Sequence, residues 1–68
     1  MYNEPKIIIL KNKLNVINFL NIDQFSDNKI VLKTTNTNII ITGSNLVISK
    51  LITDEVLING NFSKIEFR

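Results

Sequence analysis

General acid–base or hard-cation chemistry in this sequence would have to be built from six carboxylates: Glu4, Asp23, Asp27, Asp54, Glu55 and Glu66. Histidine and cysteine are both absent. That excludes a Ser/His triad, a Cys/His pair, a zinc cage and a disulfide framework. Asp54 and Glu55 are neighbours, but Asp54 reads as a turn residue and Glu55 finds a partner in Lys64 under the hairpin register given below, so turn chemistry accounts for them better than a catalytic dyad. No run of carboxylates has the density of an oxygen-ligand calcium site. Glu66, between Ile65 and Phe67, reads as a charge that blunts an edge strand. Gly43 and Gly60 are isolated, each with a turn to explain it, so no phosphate-cradling loop exists. The sequence is therefore read as non-enzymatic, with no catalytic, cofactor-binding or metal-binding residues.

A second chemistry, stacking of single-stranded nucleic acid, needs aromatic side chains set in a basic groove. Tryptophan is absent, Tyr2 lies near the terminus, and only Phe19 and Phe25 of the four phenylalanines are not taken up by the expected hairpins. The net charge is +2, with lysines dispersed at 6, 11, 13, 29, 33, 50 and 64, so few counterions would be released on binding. No nucleic-acid partner is expected, and a small single-strand-binding barrel stands as the alternative reading. Lysines converging beside exposed Phe19 and Phe25 would favour it.

The elements that must position any site are strands. Ile, Val and Thr supply 22 of the 68 residues and alanine none, a composition suited to a pleated surface and poor for helix. Eleven asparagines suit the turns between them. Apolar triplets recur at residues 7–9, 30–32, 39–41, 46–48 and 56–58, with a last apolar pair, Ile65 and Phe67, around Glu66. The expected fold is one all-β domain over 1–68, a small antiparallel meander of about seven or eight short strands closing into a compact sandwich or barrel. Residues 1–5 are expected to fray. A short β-solenoid-like stack is the alternative, disfavoured because the spacing drifts. The longest apolar run, Ile7–Leu10, is far short of the ~20 residues of a membrane-spanning helix, so no span is expected and the chain reads as soluble and unexported.

Turn chemistry then predicts registers. Lys11-Asn12 folds Ile7 and Ile9 onto Val16 and Leu14. Thr35-Asn36 sets Leu32, Val31 and Ile30 against Ile39, Ile40 and Ile41. Gly43-Ser44 pairs Ile41 with Leu46, Ile40 with Val47 and Ile39 with Ile48, and Asn59-Gly60 pairs Leu57 with Phe62 and Glu55 with Lys64. Ser26-Asp27-Asn28 reads as a further turn, and a bulge or sheet crossing is expected within 17–28, where apolar residues fit no single period. One face of this meander carries Ile30, Leu32, Ile39, Ile41, Leu46, Ile48, Val56, Ile58, Ile65 and Phe67, the expected core.

The other face is also apolar at its centre: Ile8, Val31, Ile40, Val47 and Leu57, extended by Phe62. A half-solvated antiparallel strand should be polar there. Either the sheet folds so that both faces are internal, or this stripe is an interface for self-association or a partner. A chain this short keeps little net stability without a staple. With no disulfide or metal to serve as one, the sequence favours the interface and a homo-oligomer.

Four blocks of the sequence, in order, resemble the YabP/YqfC family of sporulation proteins: Pro5-Lys6-Ile7; Phe25-Ser26-Asp27 leading into Ile30-Val31-Leu32; Ile41 through Ile48; and Thr53 through Gly60, followed by Ile65-Glu66-Phe67. The YqfC-like branch is the better fit. Lys11-Asn12 stands where the family tends to place a glycine in the first turn, and Ile17-Asn18-Phe19 departs from the family's stretch after the second strand. The resemblance implies a role in endospore formation within the mother-cell cytoplasm, no enzymatic activity or cofactor, and a membrane-protein partner of the YqfD type that would hold the chain peripheral to the forespore membrane.

Overall fold

β-branched runs broken by Asn, Ser, Thr and Gly fold, in a computed structural model that describes residues 4–68, into six strands. These are β1 (Lys6–Leu10), β2 (Lys13–Ile17), β3 (Asn21–Phe25), β4 (Lys29–Lys33), β5 (Asn38–Ile52) and β6 (Glu55–Phe67). They make one antiparallel sheet in the order β1-β2-β6-β5-β4-β3. The all-β class is as expected, in an open antiparallel sheet rather than a solenoid stack, but with six strands instead of seven or eight, because β5 and β6 each run on through a glycine where a turn was expected. The expected frayed end at 1–5 lies, for residues 1–3, outside the described residues. Glu4 precedes β1, and its carbonyl accepts a 2.9 Å hydrogen bond from the Asn18 side-chain amide.

Three of the predicted turns are present. Lys11-Asn12 sets Ile7 opposite Val16 and Ile9 opposite Leu14. Thr35-Asn36 gives the three predicted pairs between β4 and β5, even though Thr35 is a poor turn former. Buried Thr34 closes this loop: its backbone N–H and its hydroxyl both donate to the Thr37 carbonyl, at 2.9 and 2.7 Å. The Ser26–Asn28 turn joins β3 to β4, with the Ser26 hydroxyl donating to the Lys29 carbonyl at 3.1 Å.

The two glycine turns are not hairpin turns. β5 runs through Gly43-Ser44 and β6 runs through Asn59-Gly60, and the two strands are joined instead at Thr53-Asp54. Gly43 lies opposite Phe62, and Ser44 opposite Asn61. Ile41 pairs with Ile65 rather than Leu46, Ile40 with Glu66 rather than Val47, and Ile39 with Phe67 rather than Ile48. Leu57 faces Lys50 and Asn15 rather than Phe62, and Glu55 faces Ile52 and Ile17 rather than Lys64. The glycines serve a bend. A straight strand of 15 residues would span roughly 50 Å, whereas the longest dimension of the molecule is 35 Å. The ladder between β5 and β6 slips at Thr42/Gly43, at Ser44/Val47 and at Ile48/Lys50, and such bulges kink and twist a sheet. Asn45 (φ 55°) and Gly60 (φ 148°) take up the left-handed backbone this requires. A Cβ on Gly43 would overlap the Asn61 carbonyl, so the two strands approach here as only glycine permits.

The bend folds the sheet over its own apolar face. One layer holds β3, β4, the first half of β5 and the last half of β6; the other holds β1, β2, the first half of β6 and the last half of β5. The connection from β2 to β3 requires this curl. Laid flat, those strands would sit four strand spacings apart, about 19 Å, while the four residue steps from Ile17 to Asn21 reach only about 14 Å. Leu14, Val16, Val56 and Ile58 of one layer meet Ile30, Leu32, Ile39 and Ile41 of the other, all fully buried, with Leu46 at the bend and Phe19 in the crossover. Ile48 and Ile65, expected in the core, are half-buried against it. Phe67 points inward but lies at a sheet margin and is 61% exposed.

The expected irregularity in 17–28 is present both as a crossing at 18–20 and as a bulge. Ile22 pairs with Leu32 and Gln24 with Val31, leaving Asp23 as the extra residue. That insertion lets Ile22 and Phe25, three apart in sequence, point the same way, so no single period could describe the segment.

Candidate interaction surface

Because the sheet folds on the face carrying Ile39 and Ile41, the residues between them in the alternation face outward. Val31 and Ile40, each half-buried, are a cross-strand pair on the outside of the first layer, flanked by Gln24 and Glu66 in the same row. Ile8 and Leu57 flank Asn15 in a row on the outside of the second layer, and Val47 lies in the next row with Asn59, Lys13 and Leu10. Phe62 is half-buried against the core near the bend. The six residues expected to form one stripe therefore fall into two outward groups and one inward-leaning side chain, because the stripe presumed hairpin registers that β5 and β6 do not have.

The second layer's outer face is mixed. Ile8 (39% exposed), Leu10 and Val47 stand beside Lys6, Lys13 and Lys50. Asn15 donates a 2.9 Å side-chain hydrogen bond to Glu55, while the buried carbonyl oxygens of the Asn15 and Asn59 side chains have no hydrogen-bond partner. Glu66 has partners on its own strand and just beyond it rather than a site to serve. The Arg68 guanidinium lies 3.3 Å and the Lys64 ammonium 3.5 Å from its Oε2. The Arg68 hydrogen bond, followed by the charges of both cations, holds the Glu66 carboxyl below its ordinary range. Lys64 thus pairs with Glu66 and not with Glu55.

An apolar groove of about 410 Å³ opens between the β2–β3 crossover and the end of the long hairpin, lined by Phe19, Leu20, Asn21, Ile22, Leu51, Ile52 and Thr53. Leu20 and Leu51 on its rim are more than half exposed. Sequence reasoning missed it because its two walls are some 30 residues apart and meet only through the fold. Phe19, one of the two aromatics a nucleic-acid platform would need outside, is buried in the core, while Phe25 is exposed. Those two rings do not make the exposed stacking pair that the alternative required. No helix among the described residues is long and apolar enough to cross a membrane.

The two outer strands of the sheet differ. β3 carries Asn, Asp and Gln and is broken by the Asp23 bulge, whereas β1 pairs with β2 without a slip and presents Ile8, Ile9 and Leu10 to solvent.

Among known families, the model described as the YabP family matches residues 3–68. No curated protein and no solved structure matches the chain significantly.

Proposed function

The chain belongs to the YabP family, and from that premise, which agrees with an association with sporulation, we propose that it works there as a non-enzymatic structural and interaction module. It self-associates, and it is held near the forespore membrane of the mother cell by a membrane-protein partner of the YqfD type. The observation that carries this reading is the amount of large apolar side chain left in solvent on so small a domain. Leu10, Leu20, Leu51 and Phe67 are each more than half exposed, as are Ile9, Phe25 and Val47. Apolar surface at this density marks contact sites on soluble domains. Against it stand only scattered carboxylates, one of them neutralised by Lys64 and Arg68.

The test is genetic. In an endospore-forming bacterium that carries this chain, removing its gene should lower the yield of heat-resistant spores while vegetative growth stays normal. Complementation by the wild-type chain should restore that yield, and complementation by a Val47→Asp variant, altered only on the outer face, should do so less well. Full spore yield in the deletion strain would overturn the reading.

A further inference from the structure

β1 is an outer strand whose far side no other described strand covers, and the phase of its hydrogen bonds can be worked out. Gly60 N–H donates to the Asn12 carbonyl at 3.0 Å, and Asn18 N–H to the Asp54 carbonyl at 2.7 Å. Antiparallel pairs alternate between bonded and non-bonded. Between those two bonds, Leu14 and Val16 are therefore the β2 residues that bond to β6, and Lys13, Asn15 and Ile17 bond the other way, to Leu10, Ile8 and Lys6. The same phase follows from the two-residue Lys11-Asn12 loop, whose flanking pair Leu10–Lys13 is bonded. The backbone N–H and C=O groups of Ile7 and Ile9 consequently point away from the sheet.

We infer that β1 pairs antiparallel with β1 of a second copy of this chain, about a two-fold axis through Ile8. This deepens the self-association in the proposed function and rests on that part of it. Registers in which an outward-bonding residue faces an inward-bonding one make no ladder, so the axis must pass through a residue. Centred on Ile7, the pairing would set Ile9 against Pro5, which has no N–H to give. Centred on Ile9, it would set Ile7 against Lys11, which has left the strand at φ 53°. Only the Ile8 centre uses both free residues in both copies, with Ile7 exchanging two bonds with Ile9 of the second copy and the reverse, four in all.

Side chains agree with this register. On the inner side, Ile9, 51% exposed in the single chain, is covered by Ile7 of the second copy. On the outer side Ile8 meets its own equivalent, and Lys6 lies opposite Leu10, so no two lysines face one another. β3 offers no such match, because its bulge at Asp23 breaks the edge as natural sheets do to prevent pairing.

The test is the solution mass of the full chain over a concentration series, by light scattering, for the wild type and for Ile9→Pro. Proline removes an N–H that makes no bond within the chain and is tolerated on an edge strand. The wild type should pass from one copy to two as concentration rises, with amide exchange at Ile7 and Ile9 slowing in parallel. Ile9→Pro should stay at one copy with an unchanged circular dichroism spectrum. If the variant does not fold, the concentration dependence of exchange at Ile7 and Ile9 decides the matter. A wild type that stays single, a dimer that survives Ile9→Pro, or a dimer that leaves those two amides unprotected would overturn the inference. None of these results alters spore yield in the deletion strain, which tests the wider reading separately.

Discussion

Lys11 is the residue whose type and conformation disagree most. It sits at φ 53° at the first position of the β1–β2 turn, where a side chain costs about 1–2 kcal/mol that glycine avoids. Glycine returns part of that gain through the larger entropy of its unfolded chain, about 0.5–1 kcal/mol. Lys11→Gly should therefore raise the melting temperature by a few degrees, given about 4–8 °C per kcal/mol for a domain of this size. A scan showing a lower melting temperature would mean that the lysine side chain contributes contacts the backbone argument omits. Among the described residues, Asn18 and Asn45 hold the other left-handed positions outside glycine, and asparagine tolerates that region better than lysine does. The turn at Lys11-Asn12 was legible in the sequence, while the strain in it was not, because φ depends on how the flanking strands pair.

At the scale of elements, the decisive feature is the long bent hairpin of β5 and β6. Gly43-Ser44 and Asn59-Gly60 have the residue types of tight turns, and each closes an apolar register locally. They are opposed across one ladder instead, with Ser44 against Asn61. A glycine that can make a turn can equally make a bulge, and only the competing long-range pairing selects between them. Gly43→Ala should destabilise the domain by about 2 kcal/mol or more, since its Cβ must displace the backbone carbonyl of Asn61. Urea unfolding measures this, and a midpoint equal to that of the wild type would mean the strands are not so close at the bend. Residues 17–28 resisted a periodic reading for a related reason, since one inserted residue, Asp23, reverses the alternation halfway along β3.

For the whole molecule, stability rests on a single layer of contact between two halves of one sheet. At 0.05–0.15 kcal/mol per residue, a chain of this length holds roughly 3–10 kcal/mol. Ile41→Ala removes a fully buried side chain and should cost about 2–5 kcal/mol, enough to bring the domain near its unfolding threshold. Ile40→Ala, one residue along and facing outward, should cost about 1 kcal/mol or less. Comparing the two urea midpoints tests the assignment of faces directly, and equal losses would contradict it.

The sequence by itself determined the all-β class, the inward alternation of Ile30, Leu32, Ile39, Ile41, Leu46, Val56 and Ile58, three of the turns, and the family resemblance, because each depends on residue type and short-range spacing. Leu14 and Val16 were legible as a paired strand but not as core, since nothing local says that β2 docks on β6. The tertiary structure alone decided that the glycines bend one long hairpin, that the outward apolar residues divide between two layers, and that β1 ends the sheet with the backbone N–H and C=O groups of Ile7 and Ile9 turned outward. Those outcomes turn on which of several locally acceptable pairings buries the most apolar surface, a choice made between segments distant in sequence and invisible within any one of them.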